Sequence, residues 1–252
     1  MDSRVENEHE WHIVSRRVPA SEALPELLRS LSVARVQILR FARRPSLRGS
    51  SISDEASVLT RRARDEYRAR GFGFWDFLLT SLTEASDHTR RAVLAGSLAH
   101  DIHADRRWLE LDEFAGSLTD GTFAGLQGRQ IAALSSRVVR QDGETLHLPM
   151  LDFAITASSP NRRLALAALD ALGVVGQLYE SGRSFHFIGH ALVGQPELLQ
   201  MLARAQLLGP ITDHRWIAHQ ILSNECSLRV STDAESHDRH PSLVAYKPPT
   251  TL

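Results

Sequence analysis

The sequence predicts an α+β fold in which strands and helices alternate and a helical segment is inserted into the first half of the chain. Three observations support this. Apolar residues recur at strand and helix spacing along residues 11–44, helical patterns fill 53–99, and a strand-rich order returns over 146–246. We expect an N-terminal α/β lobe with this helical insertion over residues 1–145 and a second, closely packed lobe over residues 146–252.

The N-terminal elements follow from their periodicity. Residues 11–18 are rich in β-forming side chains, 20–31 carry apolar residues at helical spacing, and 33–41 alternate apolar with polar residues. A helix start at Ser21 would place Pro25 in the first turn, where its missing N–H is harmless. The strand–helix–strand order is typical of an α/β unit.

Three helices are predicted in the insertion. The Pro, Gly and Ser residues of segment 43–53 break both periodicities and predict a loop. Ser53 is a suitable N-cap for a helix that runs to Arg70. Two further helical stretches cover 75–84 and 87–99, the latter with Asp87 as its N-cap.

The first inserted helix is strongly basic. Its arginines stand at positions 61, 62, 64, 68 and 70, and acidic residues are interspersed among them. The mixture of charges favours an ordinary solvated face. The alternative is a surface that follows the phosphates of a nucleic-acid strand.

Residues 109–118 could form a strand or a helix, but the glycines of 108–143 interrupt every period, and we expect a loop-rich connection here. The pattern then becomes regular. The predicted strands are 147–155, 174–182, 183–193, 227–232 and 242–246, and the predicted helices are 160–172 (opened by Ser158 or Ser159), 196–208 and 213–222.

Composition excludes several classes of protein. The 252 residues are 42% hydrophobic, and the 29 basic and 30 acidic side chains nearly cancel, so a polyanion would have to be held by a local patch. Cys226 is the only cysteine, which excludes an internal disulfide and a cysteine metal cluster; we expect it to be a packing residue. With no leader pattern and no run of about 18 apolar residues, we expect a cytoplasmic protein without a membrane partner.

The strand around SGRSFHF carries candidate binding residues. Since alternate side chains of a strand share a face, Phe185 and Phe187 would enter the core, while Ser184 and His186 would meet a ligand on the other face, with Arg183 close by. By the same rule Asp152 stands alone as the polar residue on its face of the strand 147–155.

Asp213 has two possible roles. It precedes a predicted helix, where an aspartate commonly serves as N-cap. It could also converge with Asp152 on a hard divalent cation, which prefers carboxylate oxygens and keeps waters that a phosphate can replace. Arg183 and Arg229 would then donate to the same phosphates, and His186 to a phosphate or sugar edge.

The order of these residues resembles the three-motif layout of the archaeo-eukaryotic primase and primase-polymerase superfamily, especially its primase-1D-like members. The resemblance covers residues 148–246: an acid at the end of an apolar strand, then SGRSFH, an isolated acid after an apolar run, and LRVS. Asp152 matches the first motif, Ser184 and His186 the S-x-H motif, and Asp213 the third.

The resemblance implies an RRM-like antiparallel catalytic sheet packed with helices. It implies that Asp152 and Asp213 are catalytic and bind Mg²⁺ or Mn²⁺, and that Ser184, His186 and, as triphosphate contacts, Arg183 and Arg229 bind a nucleotide. The implied activity, as in DNA replication, is transfer of a nucleotide from a nucleoside triphosphate onto a 3′-hydroxyl. The implied partners are the triphosphate, single-stranded or primer-template nucleic acid, and a possible protein partner.

The sequence departs from the superfamily pattern at one position. The first motif there usually holds two acids two residues apart, and the second position here is Ala154. A two-metal site fixes its ions about 3.5–4 Å apart and needs several oxygens to do so. A catalytically degenerate protein that binds nucleotide or nucleic acid as an interaction or sensing subunit is therefore the alternative to a nucleotidyltransferase.

Overall fold

The computed structural model describes residues 10–42, 53–71, 73–98, 104–120, 122–123, 130–231 and 240–249. Within these ranges it confirms the α+β fold, with eight α-helices and two antiparallel sheets. Met1–Ala42 and His103–Leu252 form one compact unit, and Arg43–Ile102 form another. None of the described helices is long and apolar enough to cross a bilayer.

The elements lie close to their predicted positions except in residues 104–152. The strands are β1 (His12–Pro19), β2 (Val33–Ala42), β3 (Asp105–Glu110), β4 (Gln130–Arg140), β5 (Thr145–His147), β6 (Met150–Asp152), β7 (Gly176–Glu180), β8 (Phe185–Gly189), β9 (Ser227–Arg229) and β10 (Ser242–Tyr246). The helices are α1 (Ala20–Ser30), α2 (Asp54–Arg70), α3 (Phe74–Thr80), α4 (Asp87–Leu98), α5 (Leu111–Thr119), α6 (Ser159–Leu172), α7 (Gln195–Gln206) and α8 (His214–Ser223), with a 3₁₀ turn at Ser81–Glu84.

The first unit contains both sheets. The first sheet has the strand order β1-β10-β7-β8-β6, and the second has the order β3-β2-β4-β5, with β9 also paired to β4. Each sheet thus contains strands from both sides of residue 145. The lobe boundary at that residue stays a prediction, since strand pairing within one unit does not test it.

The predicted loop-rich connection over residues 108–143 is wrong, because this segment contains half of β3, all of α5 and the central strand β4. Strand β4 is buried on both faces and so lacks the alternation that marks a half-buried strand. Ser135 and Ser136 also interrupt its apolar run although both are fully buried. The Ser136 hydroxyl accepts the Cys226 N–H at 2.9 Å, which satisfies it inside the core. Cys226 is itself fully buried, as predicted.

The predicted strand 147–155 is two short strands in different sheets. Strand β5 pairs with β4 in the second sheet, and β6 pairs with β8 in the first. Pro149 lies between them and has no N–H to give to a ladder, so one continuous strand is disfavoured. The chain therefore crosses from one sheet to the other just before Asp152.

Helix caps follow local sequence closely, with two corrections. The caps predicted at Ser53 and Ser158 are confirmed, since these side chains accept the N–H of Ala56 and of Asn161. Helix α1 begins at Ala20, so Pro25 falls in its second turn and not in the first.

The N-cap of α4 is also shifted by one residue. The Ser86 hydroxyl accepts the Thr89 N–H at 3.4 Å, while Asp87 pairs with Arg90 at 2.7 Å within the first turn. The loop predicted at 43–52 lies outside the described residues.

The second unit has its own small core, centred on Leu78, Leu82 and Val93. On the basic helix α2, Arg68 pairs with Asp65 at 3.9 Å and Arg70 pairs with Glu66 at 3.3 Å. The arginine side chains of both pairs are largely exposed, which favours the solvated-face interpretation of this helix.

Candidate functional site

Asp152 and His186 lie side by side on neighbouring strands. The antiparallel register of β6 and β8 pairs Asp152 directly with His186. The distance from Nε2 of His186 to Oδ1 of Asp152 is 3.7 Å, which is longer than a hydrogen bond. The acid of the first motif and the histidine of the second are thus neighbours.

Asp213 is brought to the same point by a short extension of the ladder. Phe153 forms a β-bridge with Thr212, and the N–H of Ala154 donates to the carbonyl of Ile211 at 3.0 Å. The N–H of Asp213 donates to the carbonyl of Asp152, also at 3.0 Å. Backbone pairing therefore sets the two acids, distant in sequence, next to each other.

Asp213 is the N-cap of α8. Its Oδ1 atom accepts the N–H of Arg215 at 3.0 Å and that of Trp216 at 2.8 Å. Both cap bonds use the same oxygen, so the second oxygen of the carboxylate takes no part in the cap. The Asp213 side chain can therefore cap α8 and take part in a charged site at the same time.

Ser184 is positioned by the tight turn between β7 and β8. Gly182 adopts φ +108°, a left-handed conformation that favours glycine, and the Ser181 N–H donates to the Ser184 carbonyl at 2.9 Å. The two serine hydroxyls lie 3.3 Å apart. Sequence reasoning missed Ser181, although the serine–glycine pair before Arg183 signals a turn.

The two predicted arginines occupy different positions. The Arg229 guanidinium donates to the carbonyls of Ser181 and Ser231, which ties β9 to the β7–β8 turn. The Arg183 side chain is exposed, and within the described part of the chain its guanidinium makes no ion pair with either acid. We define the acidic site as Asp152, Ser184, His186, Asp213 and Arg229; Arg183 lies outside it.

His186 is more enclosed than the sequence predicts. Strand β8 is buried on both faces, and His186 is only 8% exposed, so the expected open face is wrong. The alternation rule identifies which side chains share a face, but it cannot tell whether a second layer covers that face. The Asp152 side chain, 23% exposed, gives the site its opening.

The Asp152 carboxylate is electrostatically strained. Its Oδ1 atom is buried and has no hydrogen-bond partner. Burial, and then the neighbouring Asp213 carboxylate, raise the pKa of Asp152 well above its ordinary value, against the opposing effects of the Phe153 N–H, Arg229 and Ser184. A bound cation would relieve both the repulsion and the unsatisfied oxygen.

The acids present fit one divalent ion and not two. Among the described residues, no three or more His, Cys, Asp or Glu side chains are grouped to hold a metal. Mg²⁺ is commonly held by one or two carboxylates together with substrate phosphates and waters, which matches Asp152 and Asp213. Ala154 is exposed and provides no third carboxylate.

Other acids that could replace the missing carboxylate are engaged elsewhere. Asp170 accepts from Lys247 at 2.9 Å, and Glu180 accepts from Arg17 at 2.7 Å. Glu225 is buried in an ion pair with Arg106. A two-metal centre is therefore not supported.

Comparison with known families identifies the chain. The family model described as archaeo-eukaryotic primase 1D-like matches residues 110–242, a span that contains the whole acidic site. No curated protein and no solved structure matches the chain. Because the family match covers more than half of the 252 residues, the chain belongs to the archaeo-eukaryotic primase 1D-like family.

Proposed function

We propose that this primase-fold protein binds a nucleoside triphosphate together with one divalent cation, Mg²⁺ or Mn²⁺, at the acidic site. The observation that carries the proposal is the buried, unpartnered Oδ1 atom of Asp152 beside a second carboxylate. A carboxylate with one buried, unsatisfied oxygen beside a second carboxylate is costly, and such a cost is typically retained where a ligand removes it.

Each residue of the site has a role in this proposal. Asp152 and Asp213 would hold the cation, whose remaining positions are filled by phosphate oxygens and water. Ser184 and His186 would donate to a phosphate or to the sugar. Arg229, fixed by two carbonyls, would supply positive charge, and the exposed Arg183 would contact phosphates from the rim.

Nucleotidyl transfer is the second candidate, favoured by the juxtaposition of Asp152, His186 and Asp213 in the order of the family motifs. In that reaction a 3′-oxygen forms a bond to the α-phosphorus, its proton passes to a base, and the bond to the leaving pyrophosphate breaks. Ala154 and the two-acid limit favour binding without transfer, as in an interaction or sensing subunit. Nucleotidyl transfer would need a nucleic-acid strand or a second nucleotide as the acceptor, and a cytoplasmic location stays a prediction.

The proposed function is tested by titrating a nucleoside triphosphate into the wild-type protein by calorimetry, with Mg²⁺, with Mn²⁺ and with a chelator. We expect saturable binding that requires the cation, because the two carboxylates repel an uncompensated triphosphate. The matched control is the corresponding nucleoside, which lacks phosphates and should bind far more weakly. Equal affinity with cation and with chelator would refute a cation-assisted site.

A variant that restores the missing acid distinguishes nucleotide binding from nucleotidyl transfer. Ala154→Asp places a carboxylate two residues from Asp152 at an exposed position, where it causes no core clash. If the wild-type protein lacks only metal ligands, we expect this variant to gain cation-dependent primer extension that the wild type lacks. Primer extension is measured on labelled primer-template, with Ala154→Asn as the uncharged control. Robust extension by the wild type would instead establish transfer with two acids.

A further inference from the structure

A polar pocket lies in the first unit, away from the acidic site. Its volume is about 540 Å³, and it is an open pocket lined by residues of β3, β4 and β5, the first residue of α7, and the end of α8 with the turn after it. The side chains that matter for its chemistry are Arg106, Arg137, Thr145, His147, Gln195 and Glu225. No residue is shared with the acidic site, and the ten residues of α8 separate Asp213 from this end of the helix by about 15 Å.

The pocket carries an excess of positive charge. Its one carboxylate, Glu225, is buried and already held by Arg106 and by the Ser135 hydroxyl, the latter at 3.3 Å. Arg137 is exposed, and no acid of the described residues pairs with its guanidinium. Two guanidinium groups face one carboxylate, so Arg137 is the cation whose charge is not balanced within the pocket.

His147 is the cross-strand neighbour of Arg137 in the pocket wall, because the register of β4 and β5 pairs the two residues. Its imidazole is buried, and Nδ1 is hydrogen-bonded to the Ser136 hydroxyl at 3.0 Å. Burial, and then the charge of Arg137, lower the pKa of His147 against the opposing effect of Glu225. The lowered pKa favours the neutral imidazole, so the positive charge of the pocket comes from its arginines.

We propose that this pocket binds a phosphate monoester, carried by a small molecule or by the end of a nucleic-acid strand. A guanidinium matches phosphate in geometry and charge, and a monoester carries nearly two negative charges at neutral pH. The Thr145 hydroxyl and the Gln195 amide supply neutral donors beside Arg137. The volume is that of an ordinary small-ligand site, larger than a lone phosphate requires.

The experiment measures binding of inorganic phosphate, ribose 5-phosphate and a short oligonucleotide with and without a 5′-phosphate, to the whole chain by calorimetry. We expect inorganic phosphate, ribose 5-phosphate and the 5′-phosphorylated strand to bind, and the strand that carries only phosphodiesters to bind far more weakly. Arg137→Gln should weaken binding about tenfold, as for loss of a charged hydrogen-bonding partner. Tighter binding of ribose 5-phosphate identifies a small ligand, and tighter binding of the phosphorylated strand identifies a nucleic-acid end.

Two controls make the outcome specific. Arg140→Gln removes the same charge from the same strand, outside the pocket, where Arg140 pairs with Asp142 at 3.1 Å; it should leave affinity unchanged. Asp152→Asn should also leave it unchanged, which separates this pocket from the acidic site. In the wild-type protein, the NMR resonance of the His147 ring should move on adding ribose 5-phosphate. The proposal is overturned if no probe binds at millimolar concentration, or if Arg140→Gln weakens binding as much as Arg137→Gln.

Discussion

Replacing Asp213 by asparagine should remove cation-dependent nucleotide binding and leave the fold intact. Asparagine keeps a carbonyl oxygen that can accept the N–H groups of Arg215 and Trp216, and it is as good an N-cap as aspartate. It lacks the negative charge that would hold the cation. We expect nucleotide affinity in Mg²⁺ to fall by about 100-fold, since loss of a group that only supports a metal ligand already costs roughly 10–100-fold, with little change in thermal midpoint.

The control for this prediction is Asp213→Ala, which removes both the charge and the cap. That variant should lose the same affinity and, in addition, about 1 kcal/mol of unfolding free energy. Affinity is measured by calorimetry and stability by chemical denaturation. If asparagine binds nucleotide as well as aspartate does, Asp213 is only a helix cap, and the proposed cation site is wrong.

Local features of the fold could be predicted from the sequence. The caps at Ser53 and Ser158 and the pair β7 and β8 depend on residues within a few positions of one another. The central strand β4 could not be recognised, because a strand buried on both faces has no alternation of apolar and polar residues. Its two adjacent serines are also typical of loop sequences. The difference lies in whether the stabilising contacts are local or come from other strands.

The acidic site shows the same limit. The order of Asp152, the S-x-H motif and Asp213 indicated a family, and the family match confirms that membership. Their proximity depends on a ladder between residues 152–154 and 211–213, which no periodicity encodes. The sequence also predicted an open face for His186, because alternation along a strand does not show whether another layer of the fold covers that face.

The polar pocket was beyond prediction for a related reason. Its walls come from three strands, a helix start and a helix end, which are separated in sequence, and no motif links its arginines. Only the pairing of β4 with β5, which sets Arg137 opposite His147, brings the two side chains together.

Replacing Asp152 by asparagine should stabilise the protein in the absence of ligand and remove nucleotide binding at the same time. The ionised carboxylate is buried beside Asp213 with one oxygen unsatisfied, and the neutral amide avoids that repulsion. At neutral pH we expect a gain of roughly 1–2 kcal/mol in unfolding free energy, in the range found when a functional residue is replaced by a better-tolerated one.

The pH dependence of this gain follows from the direction of the pKa shift. In the folded protein the pKa of Asp152 lies above its ordinary value of 3.8, so the folded state binds more protons than the unfolded state between these two values. Wild-type stability therefore falls as the pH rises through that window, whereas that of Asp152→Asn does not. The two proteins should be equally stable in acid and diverge as the pH approaches neutrality.

Chemical denaturation at a series of pH values checks this, with Asp112→Asn as a matched control. Asp112 is an exposed acid whose side chain is 89% accessible and whose ion pair with Arg29 contributes little, so its replacement should leave stability almost unchanged at every pH. Adding Mg²⁺ and a nucleoside triphosphate should reverse the order, because ligand binding stabilises only the wild type. A variant less stable than the wild type at neutral pH without ligand would show that the Asp152 carboxylate is already satisfied by the protein and has no need of a cation.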